Sequence, residues 1–518
     1  MSDHRSPDER YARYVLGVLV LVYVLNFLDR QIPSILAERI KADLHLSDAQ
    51  LGFLYGTAFA VFYSLFGIPL GRLADVWNRT RLIAIGLGAW SLMTAVSGLA
   101  NNFLQLGLAR IGVGIGEASA GPAGYSILSD YFPATKRATA VALYQSGIFI
   151  GSGLGLGLGG VIVDRWDTAW GAGAAPFGLR GWQVAFFVVG LPGLLLAGWV
   201  WSLREPIRGQ ADGIFSPPEP HPFREFAREL RAVLPPLTLL HLWLTRAGRQ
   251  ALAINLGAAS LIAGAAYLLT SLLGNPMQWI ALGIGLYAAI SWMQALRRRD
   301  RVCFELLFRT PSLRYAALGF SLLAATGYGL TFWTAPFFIR IHGISEARAG
   351  LLLGGAHAVA GWIGMTTGGV LADRWRLHSP AGRLYVAALT ATLPVPFAVW
   401  MLTTPSTALA VVLYFPLSLF AGLWGGPAVS TIQDLVLPRM RATASAAYLL
   451  LVTFVGLALG PYAIGRISGA LGNLRSAMLI GLSAYAFALM FLLLAMPHIG
   501  RDETSKLERA RAAGEASI

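Results

Sequence analysis

The sequence predicts an all-α polytopic membrane protein. Three observations carry that expectation: apolar runs of hydrocarbon length, a scarcity of charge, and an internal duplication. The chain has 518 residues, of which 56% are hydrophobic and only 13% charged, with a mean hydropathy of +0.60. Soluble globular proteins carry about a quarter charged residues. Half of that leaves too little polar surface to cover a chain of this length in water, whereas bilayer hydrocarbon suits it.

A membrane helix needs about 20 mostly apolar residues. Fourteen candidate spans lie near 14–37, 50–71, 82–100, 103–128, 138–163, 182–203, 250–272, 277–297, 313–339, 348–371, 383–403, 407–432, 442–467 and 475–496. The short loops give their orientation. Arg72, Arg79 and Arg81 follow span two, and Lys136 and Arg137 follow span four. The same side receives Arg374, Arg376, Arg383, Arg439 and Arg441, then a tail with Arg501, Lys506, Arg509 and Arg511. Opposite loops such as Ala100-Asn101-Asn102 carry no cation. Cations favour the cytoplasmic side, so both termini are expected there, which requires an even number of spans. No cleaved signal peptide is expected, because the polar N-terminal stretch leads into a long span with no small-residue cleavage site.

Five segments follow. Residues 1–203 read as a six-helix bundle and 204–249 as a cytoplasmic linker. Residues 250–300 read as an inserted pair of spans, 301–497 as a second six-helix bundle and 498–518 as a cytoplasmic tail. Within the linker, Phe223-Arg224-Glu225-Phe226-Ala227-Arg228-Glu229-Leu230 has the pattern of an amphipathic surface helix. Cations flank the inserted pair on both sides, at Arg246 and Arg249 and at Arg297 to Arg301, as for a hairpin that enters and leaves on one side.

The two bundles repeat each other. Ser47-Asp48-Ala49-Gln50-Leu51-Gly52 recurs as Ser345-Glu346-Ala347-Arg348-Ala349-Gly350. Gly71-Arg72-Leu73-Ala74-Asp75-Val76-Trp77 recurs as Gly369-Val370-Leu371-Ala372-Asp373-Arg374-Trp375. Both offsets are 298 (345 − 47 and 373 − 75). Further on, Arg137-Ala138-Thr139-Ala140 recurs as Arg441-Ala442-Thr443-Ala444 at 304 (441 − 137), and Gly121-Pro122-Ala123 as Gly426-Pro427-Ala428 at 305 (426 − 121). A duplicated six-span unit with small insertions gives this drift. Six spans return the chain to its starting side, so the repeats run parallel about an axis along the membrane normal.

The repeated loop Gly71 to Arg81 resembles the cytoplasmic loop motif of the major facilitator superfamily, departing from it at Asn78. Arg110-Ile111-Gly112-Val113-Gly114-Ile115-Gly116-Glu117-Ala118 resembles the fourth-span motif of that family. The resemblance implies a major-facilitator fold of two six-helix bundles and transport by alternating access; the two extra transmembrane helices that the span count places between the bundles lie outside the repeat. Asn26-Phe27-Leu28-Asp29-Arg30, Glu117-Ala118 and Arg204-Glu205-Pro206 look like the Spinster branch in a bacterial form. That branch is associated with proton-coupled export of lysolipids and sphingoid phosphates.

Ionisable groups at membrane depth are costly, so they normally face a cavity, pair, and mark a transport path. Asp29 and Arg30 are adjacent on span one and point about 100° apart, so one should face the cavity and the other a neighbouring helix. Arg110 and Glu117 lie two turns apart, roughly 10 Å, on one face of span four. We read Asp29 and Glu117 as the proton-responsive pair, and Arg30 and Arg110 as charge partners or anchors for an anionic substrate. The alternative is a static network tying the two spans together. His357 could be a second proton site or a packing residue. Gln145, Tyr328, Thr331, Trp333 and Trp424 are candidate cavity residues, or else helix packing. Asp75 reads as a cytoplasmic gate residue that accepts hydrogen bonds from a helix N-terminus, repeated at Asp373. Arg79, Arg137 and Arg441 supply salt bridges to that latch or serve topology alone.

Other classes recede. No lysine follows a glycine anywhere, which removes a phosphate-binding loop and the usual ATP-driven pump. Neither H-E-x-x-H nor G-x-S-x-G occurs, so no enzyme is expected. The net charge of +14 sits in loops between apolar blocks, so no nucleic-acid partner is expected. The single cysteine, Cys303, excludes an internal disulfide and a cysteine metal cluster. No cofactor is expected beyond a proton gradient. The expected partners are the lipid bilayer and a small or amphipathic solute, for a monomer in the bacterial inner membrane. The function expected is a proton-coupled carrier of an anionic amphipath, with a soluble organic anion or drug as the alternative cargo. A non-transporting sensor on the same fold remains open.

Overall fold

The computed structural model describes residues 9–171, 175–211, 220–246 and 248–515. They form helices joined by short loops, with no β-strand among the described residues. The first part contains α1 (Glu9–Leu44), α2 (Asp48–Tyr55), α3 (Thr57–Val76), α4 (Arg79–Ser97), α5 (Phe103–Glu117), α6 (Ala120–Tyr131), α7 (Ala134–Trp170) and α8 (Gly181–Trp201). The linker forms α9 (Pro222–Val233) and α10 (Leu237–Leu244), and the insertion forms α11 (Arg249–Leu273) and α12 (Pro276–Arg299). There follow α13 (Arg301–Arg309), α14 (Pro311–His342), α15 (Glu346–Arg376), α16 (Gly382–Thr392), α17 (Pro394–Thr403) and α18 (Thr407–Ala421). The chain closes with α19 (Gly425–Asp434), α20 (Arg441–Leu451), α21 (Gly460–Leu471), α22 (Leu474–Gly481), α23 (Ser483–Thr504) and α24 (Lys506–Ala512).

Among the described residues, thirteen helical stretches are long and apolar enough to cross a membrane. The remaining span of the expected fourteen, the fourth, is broken at Ala118-Ser119 into α5 and α6. Gly112, Gly114 and Gly116 weaken the helix just before the break. The Ser119 hydroxyl then turns back onto the Gly116 carbonyl at 2.9 Å, a local bond that competes with the helical ladder.

The chain divides into two compact units, and these do not follow the sequence halves. One contains Met1–His45, Leu65–Leu230 and Ser345–Ala358; the other contains Leu46–Ser64, Arg231–Ile344 and Val359–Ile518. In the first, α1 lies along α7, and glycines set the distance. A Cβ at Gly151 would come 2.2 Å from the Val24 carbonyl oxygen, and one at Gly155 would come 2.7 Å from that of Leu28. This four-residue glycine spacing keeps one face of α7 bare, so the backbones touch. A second bare face of α7 meets the start of α15, where a Cβ at Gly350 would lie 2.2 Å from the Leu156 carbonyl oxygen.

The second unit repeats that device. A Cβ at Gly52 of α2 would lie 2.6 Å from the carbonyl oxygen of Pro461 in α21, and one at Gly56 would lie 2.5 Å from that of Leu457. Leu457 belongs to a π-helical segment, Val452–Ala458, that precedes α21. The Thr57 hydroxyl donates to the Ala458 carbonyl at 2.8 Å.

The inserted helices form a hairpin, turned by Gly274 and Asn275 at positive φ. Buried Asn255 of α11 clasps α12. The Ser291 hydroxyl donates to Asn255 Oδ1 at 3.0 Å, and Asn255 Nδ2 donates to Gln294 Oε1. Gln294 Nε2 in turn reaches the Ala251 carbonyl at 3.0 Å. Such polar bridges hold helices together where lipid offers no hydrophobic drive. Gly285 seats α12 against the Phe454 ring of the π-helical segment, 2.2 Å from where a Cβ would stand.

Candidate functional site: a buried charge cluster on α1, α4 and α5

The face of α1 given to α7 carries Val24 and Leu28. Arg30 is two residues on, about 200° around the helix, and so is directed away from α7. Its Nε donates to Glu117 Oε2 of α5 at 2.6 Å. Asp29, about 100° away, accepts instead from the Thr94 hydroxyl of α4 at 3.1 Å. The neighbouring charges therefore serve two different helices, as their spacing requires. α4 and α5 are themselves held close by glycine: a Cβ at Gly116 would sit 2.8 Å from the Trp90 backbone nitrogen.

Arg110 completes the cluster and acts electrostatically on both Asp29 and Glu117. Asp29, Arg110 and Glu117 are at most 2% exposed, while the Arg30 side chain keeps 19% of its surface open. Asn26, one turn before Arg30, is 1% exposed. One oxygen of each acid, Asp29 Oδ1 and Glu117 Oε1, makes no hydrogen bond among the described residues. Sequence reading gave no site role to Thr94, nor to Asn26 beyond its place in the span-one motif. Each is an uncharged polar residue inside an apolar helix, a common event with no signal of its own.

The other candidates scatter. Gln145 donates to the Tyr125 hydroxyl at 3.2 Å, beside stacked Tyr23 and Tyr144. The His357 ring lies 6.2 Å from that of Phe149. Trp333 is fully buried and donates its Nε1 hydrogen to the Pro461 carbonyl at 2.8 Å, which makes it a packing residue of α14. Tyr328 and Thr331 are half-buried on the same helix. Half-buried Trp424 stacks on Phe320 at 6.4 Å.

Of the candidate gate residues, Arg79 is the buried hub. Its Nε donates to Glu205 Oε1 at 2.7 Å, its Nη2 to the Pro206 carbonyl at 3.0 Å, and its Nη1 to Asp130. Asp75 is exposed and makes no hydrogen bond among the described residues. Asp373 is equally open, 4.0 Å from Arg383. Arg137 donates to the Ser129 carbonyl at 2.8 Å, and Arg441 is exposed.

At the opposite ends of the spans the sequence offered a clue that went unused, the recurring Ser47-Asp48 and Ser345-Glu346. Asp48 takes both guanidinium nitrogens of Arg340, at the end of α14, at 2.7 Å each, and the Ser468 hydroxyl at 2.6 Å. Its counterpart Glu346 takes Arg39 Nε, near the end of α1, at 2.7 Å. The backbone amide next to Glu346, of Ala347, donates to Asp164 at 3.1 Å. In each case an acid that opens a helix of one repeat is paired with an arginine near the end of the helix that precedes the corresponding acid of the other repeat.

Thirteen membrane-length helical stretches among the described residues, a duplicated sequence and a cluster of buried charges in its first copy define a polytopic membrane fold. Residues 19–461 match the Major Facilitator Superfamily, and the chain belongs to that family. It is 28% identical, over 96% of its length and 92% of the relative's, to an MFS-type efflux pump of Mycolicibacterium smegmatis. It is 24% identical, over 94% of its length and 79% of the relative's, to Protein spinster homolog 1 of Xenopus tropicalis. A bacterial homolog of the human lysosomal transporter Spinster, crystallised inward-facing and unoccupied, matches with a TM-score of 0.67. That match is at 26% identity and covers 96% of this chain and 98% of the other. The protein is a multi-pass membrane transporter resembling the Spinster family, not an enzyme.

Proposed function

We propose that the protein is a proton-coupled carrier of an anionic amphipath of the lysolipid or sphingoid-phosphate class, working by alternating access in a bacterial inner membrane with both termini cytoplasmic. The observation that carries the reading is the cluster of two carboxylates and two guanidinium groups, in which each acid keeps one oxygen without a hydrogen-bond partner among the described residues. With both acids ionised the cluster is neutral. A proton taken up by Asp29 or Glu117 leaves it one positive charge in excess, which favours an anionic headgroup. By linkage, the headgroup favours the proton equally. The ion pairs at Asp48 and Glu346 would then be contacts that alternate with those around Arg79.

A second reading, a soluble organic anion or drug as cargo, draws on the efflux-pump relative, which spans almost the whole chain. Proteoliposomes test the proposal. Glu117→Gln keeps the shape of the side chain and removes its proton, so flux driven by a pH gradient should fall at least about tenfold, a factor of about 1.4 kcal/mol. Folded protein should remain in the membrane. Unchanged proton-driven flux in that variant would defeat the assignment, and a lysolipid phosphate that is not carried while a soluble anion is would favour the second reading.

A further inference from the structure

The carrier reading makes no use of the inserted hairpin, yet its open end has a definite chemistry. Between residues 234 and 304 the chain contains six cations, Arg246, Arg249, Arg297, Arg298, Arg299 and Arg301, and a single acid, Asp300. That acid is committed elsewhere, to Arg439 Nη1 at 2.6 Å and to the Cys303 amide at 2.9 Å. Arg246, Arg249 and Arg301 are exposed, with no acidic partner among the described residues.

The fold gathers these cations at one place. The clasp between Ala251 and Gln294 brings the start of α11 beside the end of α12. Arg249 and Arg297 therefore lie within a turn of a shared contact. α10 leads into the same end and turns Trp243, Leu244 and Leu240 outward at 71%, 53% and 44% exposure. Tryptophan and leucine beside clustered arginines form the pattern of the membrane–water boundary, where rings lie among headgroups and guanidinium groups meet phosphate. Beyond this end, α11 is almost bare along its length: only 6% of its apolar window is buried within the protein, which leaves lipid as its surroundings.

We infer that α10 and the open end of the hairpin form a docking surface for anionic phospholipid headgroups, with the arginines taking the phosphodiester and Trp243 and Leu244 entering the acyl boundary. Charge complementarity selects the occupant. Exposed Arg246, Arg249 and Arg301, with no acidic partner among the described residues, attract anionic lipid, and a bidentate guanidinium suits a phosphate. The hairpin, which adds nothing to the repeat, thereby acquires a role as a lipid-held outrigger.

Native mass spectrometry of the purified full chain, released from nanodiscs of phosphatidylglycerol or phosphatidylcholine, tests this. Wild type should retain phosphatidylglycerol in preference to phosphatidylcholine. The R246Q/R249Q/R297Q/R301Q variant should lose that preference by at least about tenfold, and the same four positions changed to Lys should keep most of it. Equal retention of both lipids by wild type, or undiminished preference in the Gln variant, overturns the inference. A photoactivatable phosphatidylglycerol on wild type covers the case of a variant that does not fold. Crosslinks should fall within 237–249 and 295–302, and crosslinks confined to other segments also overturn it.

Discussion

At the helices that follow Ser47 and Ser345 the two repeats keep the same glycine register, whereas halfway along their first and fourth spans they part. Gly52 and Gly56 correspond to Gly350 and Gly354 at the same offset of 298 (350 − 52 and 354 − 56), and each of the four faces a backbone carbonyl at 2.6 Å or closer. Asp48 and Glu346 each hold an arginine. The offset of 298 carries Asp29 to Gly327 and Arg30 to Tyr328, and the offset of 305 carries Arg110 to Phe415 and Glu117 to Gly422. Symmetry is kept at the close helix contacts and given up at the charged cluster. A duplicated carrier needs matching contacts at its ends but only one charged centre. A pair of repeats with charges in one copy and rings in the other suits a solute with one charged end and one apolar end.

The comparison can be broken most forcefully at the glycines. Gly52→Leu and Gly350→Leu each place a side chain where a carbonyl oxygen now lies, and overpacking of this kind costs about 1–3 kcal/mol. Matching losses of thermal stability in detergent, with loss of transport in both, are expected. A large loss in one and none in the other would show the repeat to be formal. Labelling can follow such variants cleanly, because the sole native thiol, Cys303, is buried and pushed up to about 12 by that burial, with Asp300 adding to the effect. It stays protonated against a thiol reagent at neutral pH.

A smaller effect is expected at the ion pairs. Asp48→Asn should destabilise the contact by on the order of 2 kcal/mol, less than a sealed pair because Arg340 keeps some exposure. A cysteine introduced near Ser468 should then label faster. The reversal Asp48→Arg with Arg340→Asp should restore part of the wild-type rate, and a reversal no better than the single variant would assign Asp48 to local capping.

The smallest effect lies in the tail, where Arg439 holds both Asp300 and Glu515. Burial opposes the charge on Asp300, but the bonds from Arg439 and the Cys303 amide outweigh it and keep its carboxyl below the usual range. The Arg439 hydrogen bond does the same for Glu515. Carboxyls lowered in the folded state contribute stability at neutral pH that is lost as the pH falls through their folded values, below about 4. Proteolysis of the tail should therefore rise only in strong acid. Rapid cleavage already at neutral pH would contradict the contact.

Much of this was readable from residue order. Hydropathy gave the spans, because a membrane span is set by length and polarity alone, while the two compact units cut across the halves that the 298-residue echo marks. The four charges of the cluster stood out because an ionised group in hydrocarbon needs a reason. Thr94 did not, since neutral polar groups inside helices are cheap. The break at Ala118-Ser119 passed unnoticed because its glycines read equally well as packing. Trp333 stood open between cavity and packing, because an indole has the same composition whether it lines a passage or donates, as here, to the Pro461 carbonyl. The ion pairs at Asp48 and Glu346 join residues almost 300 apart, and only the fold could match each acid to its arginine.

The most direct test of the charge cluster is proton exchange on binding, read with a pH indicator in weakly buffered detergent solution. Addition of a lysolipid phosphate to the wild-type protein should be accompanied by proton uptake that disappears in the Asp29→Asn/Glu117→Gln variant. Binding without any proton exchange, or the same exchange in that double variant, would contradict the account.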